Sequence, residues 1–135
     1  MEKELKLFYK TPAADSIEGW EKYSLPIGNG YFGASIFGGI DKERIQITTN
    51  EFANEFKYGG VSNFAEIHMF FENKNISNYE RGLRLNDGTV YSCYEQNKNK
   101  IDRICFYNYP DNVFVYKVVS SSPIDFSIKL VIPFL

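Results

Sequence analysis

The chain has 135 residues, 44% hydrophobic and 17% aromatic, a balance that excludes disorder and suits one domain able to bury a core without metals or disulfides. Fifteen basic and seventeen acidic residues leave a net charge of -2 with the lysines scattered, so no basic stripe exists to displace counterions from a nucleic acid. No uninterrupted apolar run approaches the ~20 residues that span a bilayer, which argues against a membrane, and 12 Phe and 10 Tyr favour strands over helices.

MEKELKLFYK carries charges at Glu2, Lys3, Glu4 and Lys6 and no apolar signal core, which points to a cytoplasmic protein. Leu5, Leu7 and Tyr9 alternate in a first strand that Thr11-Pro12 ends, and Asp15 to Lys22, around Trp20, reads as an irregular or single-turn helical link. LPIGNGYFGASIFGG, Leu25 to Gly39, then leads through Asn29-Gly30 into a strand with Phe32, Ala34 and Ile36 on one face. Asp41-Lys42-Glu43 is a polar turn, and Ile45 and Ile47 mark the returning strand of a hairpin. GNGYFG matches the dinucleotide fingerprint in letters only, with neither the preceding strand nor the following helix that a phosphate cradle needs.

Thr48 to Phe64 is too polar for a core strand and too rich in Asn and Gly for a helix, and is expected to be a long loop. Its aromatics Phe52, Phe56, Tyr58 and Phe64 either stack on a sugar ring or pack the loop down. In EIHMFFE, Ile67, Met69 and Phe71 take one face and His68 the more polar one. Strands follow over Ile76–Asn86, Thr89–Glu95 and Ile101–Tyr107, separated by Asp87-Gly88 and by Gln96 to Lys100, and Tyr109-Pro110-Asp111-Asn112 is a turn. Val113 to Val119 is apolar on both faces, as in a central strand. Phe126, Ile128, Leu130 and Ile132 alternate with polar residues, and the closing IPFL leaves that apolar face in need of cover. The expectation is an all-β antiparallel β-sandwich, an incomplete part of a larger one, with an exposed edge able to pair with a second copy.

Chemistry is sparse. One histidine, His68, cannot serve a nucleophilic triad by itself and reads as an ordinary solvated strand residue. Cys93 and Cys105 form no metal set; they sit at nearly opposite positions of a hairpin, so a cross-strand disulfide is conceivable, although two reduced thiols fit a chain with no export signal better. No metal, cofactor or pair of apposed carboxylates is marked by spacing.

The order of segments resembles a known family. LFYKTPA, Trp20, LPIGNGYFGASIFGGIDKERIQI, then ISNYERGLRL and FYNYPDNVFVYKV are similar to the amino-terminal domain of family 95 glycoside hydrolases, the α-L-fucosidase family. The resemblance implies a large, supersandwich-like antiparallel domain beside an (α/α)₆ barrel, with inverting hydrolysis of terminal α-L-fucosyl linkages. The family's acid and base lie on that barrel, so no catalytic residue is carried over, and the downstream barrel of the same polypeptide is the implied partner. Where the family has a loop opening on asparagine-glutamate, this chain has ITTNEFANEFKYGG, which matches it only at Asn50-Glu51 and Gly59-Gly60. Asn50, Glu51, Phe56 and Tyr58 are therefore the substrate-binding candidates, with a free-standing carbohydrate-binding module or a truncated structural domain as the rival reading.

Overall fold

The computed structural model describes residues 4–52 and 63–132. Among these, the strands are β1 (Lys6–Tyr9), β2 (Leu25–Gly28), β3 (Phe32–Ile36), β4 (Lys42–Thr49), β5 (Asn63–Phe71), β6 (Ile76–Arg84), β7 (Thr89–Gln96), β8 (Asn99–Asn108), β9 (Val113–Ser120) and β10 (Phe126–Val131). One helix, α1 (Ile17–Tyr23), separates β1 from β2. Two antiparallel five-stranded sheets result, ordered β1-β6-β7-β8-β9 and β10-β5-β4-β3-β2. This is the all-β sandwich that the aromatic content and short strand spacing predict.

The local chemistry explains the elements. In the β2–β3 hairpin, Asn29 Oδ1 accepts from the backbone N–H groups of Tyr31 and Phe32 at 3.1 and 2.9 Å, and Gly30 sits at φ +94°. The short amide side chain closes the turn that the glycine makes sterically accessible. Asn97 and Lys98, both at positive φ, form the tight β7–β8 turn whose hand matches strand twist. Ser16 caps α1 through Oγ, which accepts from Gly19 N at 3.1 Å.

Several boundaries differ from the sequence pattern. Leu25–Gly28 is a strand, so GNGYFG does follow one, but it leads into β3 rather than a helix and cradles no phosphate. Thr48 and Thr49 still belong to β4, Asn50–Phe52 form a 3-10 turn, and Asn63 and Phe64 already belong to β5, while residues 53–62 of the expected long loop lie outside the described residues. The link around Trp20 is a true helix of seven residues. β9 is an edge strand, not a central one. Its second apolar face signals an open flank rather than burial on both sides. Cys93 pairs in register with Asp102 and Cys105 with Val90, three residues out of step, so the cysteines lie on opposite faces and both are free.

Between the sheets lies an apolar core of Leu25, Ile27, Ala34, Ile36, Ile45, Met69, Phe71, Leu83, Val90 and Cys105. A polar knot interrupts it. Glu43, expected in an exposed turn, is 1% exposed, and its Oε1 accepts from the N–H groups of Gly38 and Gly39 at 2.8 and 3.3 Å. Its other oxygen accepts from the Tyr116 hydroxyl at 3.0 Å, with Arg103 Nη1 3.9 Å away. Burial pushes the Glu43 carboxyl above the usual range, and Arg103, Tyr116 and the two amides pull it back only in part.

Arg103, equally buried, reaches from β8 in the first sheet to the β3–β4 loop, donating to the carbonyls of Gly39 and Ile40 at 2.6 and 2.9 Å. Its guanidinium lies 3.8 Å from the centre of the Phe71 ring and also bonds the Tyr94 hydroxyl. Arg81 on β6 repeats the device, donating to Thr11 O and to Tyr23 O, the last carbonyl of α1, each at 2.8 Å. Glycine is required in the gripped loop: a Cβ on Gly39 would stand 1.8 Å from Lys42 O.

Removing one member of a buried charged network leaves its partners unpaired in low dielectric. Arg103→Ala is therefore expected to lose about 3–5 kcal/mol, read as a lower urea midpoint at unchanged slope. A loss below about 1 kcal/mol would mean that the guanidinium does not tie the sheets.

Candidate functional site

The outer face of the second sheet carries the most organised polar surface. Strand register sets Ser35, Gln46 and Glu66 in one row across β3, β4 and β5, and Arg44 opposite His68 in the next. A bulge adds Asn63 to this face. Ile47 pairs with Ala65 but Thr48 pairs with Asn63, so Phe64 is the extra residue, and the shift turns Asn63 toward Glu66.

Glu66 is the centre of the arrangement. Its Oε1 accepts from Arg44 Nη2 at 2.6 Å, Asn63 Nδ2 at 2.9 Å and Gln46 Nε2 at 3.2 Å. Its Oε2 takes Arg44 Nε at 3.1 Å and lies 2.7 Å from His68 Nε2. Burial alone would raise this carboxyl, but the bonds from Arg44, His68, Asn63 and Gln46 outweigh it and hold the group at about 2. Arg44 turns its remaining edge to Asp15, Nη1 to Oδ1 at 2.7 Å, and Lys42 reaches the same carboxylate at 3.0 Å. Partial burial opposes ionisation of Asp15 as well, and these two cations again prevail, lowering it.

α1 lies over the same face and places Trp20, 46% exposed, with its Nε1 donating to Ser35 Oγ at 3.3 Å. Trp20, Ser35, Gln46, Ile47, Thr48 and Asn63 line a depression of about 350 Å³. Asn63 Oδ1 is buried and has no hydrogen-bond partner among the described residues.

This geometry bears on catalysis. Glycosidic cleavage needs one carboxyl kept protonated beside one kept ionised. Glu66 and Asp15 are both pulled toward ionisation and both committed to Arg44, so no acid and base are distinguished. Among the described residues Glu43 is a carboxyl pushed upward, and the cavity beside it is an interior one of about 10 Å³, the size of one water. Among the described residues, the groups on this face are arranged to bind and orient.

Of the residues singled out from sequence, Asn50 and Glu51 lie exposed in a single 3-10 turn, Asn50–Phe52, directly after β4. Asn50 Nδ2 donates to Gly30 O at 2.6 Å, and its N–H to Tyr31 O at 3.2 Å, tying the end of β4 to the β2–β3 turn. Phe56 and Tyr58 lie outside the described residues. His68 takes the polar face as expected, but it is engaged with Glu66 rather than freely solvated. The residues passed over were Glu66, Arg44, Gln46, Asn63 and Trp20. Arg44, Gln46 and Glu66 were signalled as alternating polar positions in ERIQI and AEIHM, but alternation alone does not reveal that two strands are neighbours in register; no such pattern marks Asn63 or Trp20.

The fold and this face define a β-sandwich domain with an apolar interior and one hydrogen-bonded outer surface. Residues 7–53 and 48–133 match the glycosyl hydrolase family 65, N-terminal domain, and the chain belongs to that family of N-terminal domains. The two matched segments overlap in residues 48–53, at the end of β4. No curated protein matches the chain significantly.

The pH dependence of Glu66 follows from its depressed value. Its contribution is complete above the ordinary glutamate value of 4.5 and is lost as pH falls toward about 2. Glu66→Gln is expected to cost about 1.5–3 kcal/mol near neutrality. The gap in urea midpoint between the two proteins should close on acidification through that window; a gap that stays constant would show that Glu66 is not held ionised.

Proposed function

We propose that this chain is the amino-terminal, non-catalytic β-sandwich domain of a family 95-type glycoside hydrolase, α-L-fucosidase-like, whose parent enzyme removes terminal α-L-fucosyl groups with inversion. The observation that carries the reading is the match of residues 7–53 and 48–133 to a glycosyl hydrolase N-terminal domain. The finer assignment is supported by LPIGNGYFGASIFGG with its FGG ending, which forms the β2–β3 hairpin and the loop gripped by Glu43 and Arg103. The acid and base belong to an (α/α)₆ barrel in the same polypeptide. The ionised state of the outer-face carboxyls agrees with a domain that carries no proton-transfer pair.

In this reading the 135 residues are one part of a larger sandwich. On β10 the inward side chains Phe126, Ile128 and Leu130 are 41%, 60% and 74% exposed. With Phe114, Tyr116 and Val118 of β9 they border an apolar groove of about 350 Å³ that opens between the sheets. Apolar surface of this kind is normally covered, and further strands of the parent polypeptide, continuing both sheets, are the cover that preserves the sandwich.

The chain alone is expected not to hydrolyse a chromogenic α-L-fucoside, whereas the parent polypeptide should. Hydrolysis by the isolated chain would overturn the non-catalytic assignment. Analytical ultracentrifugation tests the cover: a tight homodimer that dissociates on Leu130→Glu would favour a second copy over further strands.

A further inference from the structure

The Trp20 depression is a site to which neither the family match nor the resemblance assigns a role. We propose that Trp20, Ser35, Gln46 and Asn63 form a subsite for one pyranose ring of a neutral oligosaccharide on the outer face of the second sheet. The inference rests on the reading of this domain as part of a glycoside hydrolase.

Three observations meet there. Trp20 is nearly half exposed beside the polar side chains of Ser35, Gln46 and Asn63, and the Nε1 bond to Ser35 holds the indole plane in one orientation. A fixed aromatic plane beside polar groups suits a ring with an apolar C–H face and an equatorial belt of hydroxyls. Second, Asn63 Oδ1 is a buried acceptor without a partner among the described residues, on a residue that lines the depression. Leaving such an oxygen unbonded costs free energy, and a sugar hydroxyl donating to it removes that cost.

Third, among the described residues of this cluster the charges are paired with one another, leaving none over to recruit an ionic ligand. Glu66 is saturated by Arg44, Gln46, Asn63 and His68, and Arg44 is divided between Glu66 and Asp15. A phosphate or carboxylate would find no unengaged cation in the cluster, whereas a neutral hydroxylated ring needs none. The volume of about 350 Å³ falls at the small end of ligand sites, which fits one ring rather than a buried chain. The same Glu66 bonds hold Gln46 and Asn63 in place, so the subsite is preorganised by the network beneath it.

Trp20 is the sole tryptophan, so its fluorescence reports this site directly. The folded chain is titrated with 2′-fucosyllactose, maltotriose and xylotriose, with the side-chain amide resonances of Gln46 and Asn63 followed by NMR. Saturable quenching by at least one sugar, with shifts of the Asn63 amide, is expected. Trp20→Ala should abolish the NMR response, and Asn63→Ala should weaken binding by about tenfold, roughly 1.4 kcal/mol, while Trp20→Phe retains part of it. No saturable change with any sugar, or NMR-detected binding that survives Trp20→Ala at full strength, overturns the subsite. Binding of maltotriose or xylotriose but not of 2′-fucosyllactose supports the subsite and counts against the fucosidase reading. Fucoside hydrolysis by the parent polypeptide, without binding here, leaves that reading intact and removes the subsite.

Discussion

Two guanidinium groups inside a β-sandwich constrain everything else in this domain. Arg103 and Arg81 rise from the first sheet and end on backbone carbonyls of connecting segments: Gly39 and Ile40 of the β3–β4 loop for one, Thr11 and Tyr23 of the link that carries the chain from β1 to β2 for the other. Glu43 completes the knot by receiving the N–H groups of Gly38 and Gly39. The β3–β4 loop is thus satisfied by charged groups instead of water, which lets it sit against the core with few unpaired polar atoms. Stacking of Arg103 on Phe71 and Tyr94, and of Arg81 on Tyr9, gives the buried cations apolar contact as well as hydrogen bonds.

The knot also determines what the outer face can present. Because the β3–β4 loop is pinned, β4 leaves it with Glu43 and Ile45 inward and Arg44 and Gln46 outward, and a slip of one residue would exchange the two sets. Arg44 can then meet Glu66 across β5, and Asp15 can meet Arg44 from the segment before α1. The two polar systems differ in kind. The inner one is closed around a water-sized space, whereas the outer one leaves a tryptophan face on a depression, beside a buried amide oxygen with no partner among the described residues.

Much of the architecture was legible in the sequence, for identifiable reasons. Asn29-Gly30, Asp87-Gly88 and Tyr109-Pro110-Asp111-Asn112 are local signals, since the residues that favour each turn are the residues that make it. Alternation found the apolar faces of β3 and β5 for the same reason. It failed at Glu43, where a charged residue in a polar run looks like a turn unless its partners, Arg103 and Tyr116, are known to arrive from sixty and more residues away. It failed again at β9, because a strand apolar on both faces reads the same whether it is central or borders an open groove.

The sequence by itself determined the class of fold, the hairpin turns and the kinship with glycoside hydrolase N-terminal domains, all of which depend on short-range pattern. Only the tertiary structure decided which residues act together. Cys93 and Cys105 were separated by a register that no spacing fixes, Asn63 was brought to Glu66 by one bulged residue, and Trp20 was laid over Ser35 by the packing of a seven-residue helix. The physical reason is common to all three: hydrogen bonds and ion pairs act over a few ångströms in space, and distance along the chain does not specify which groups will be that close.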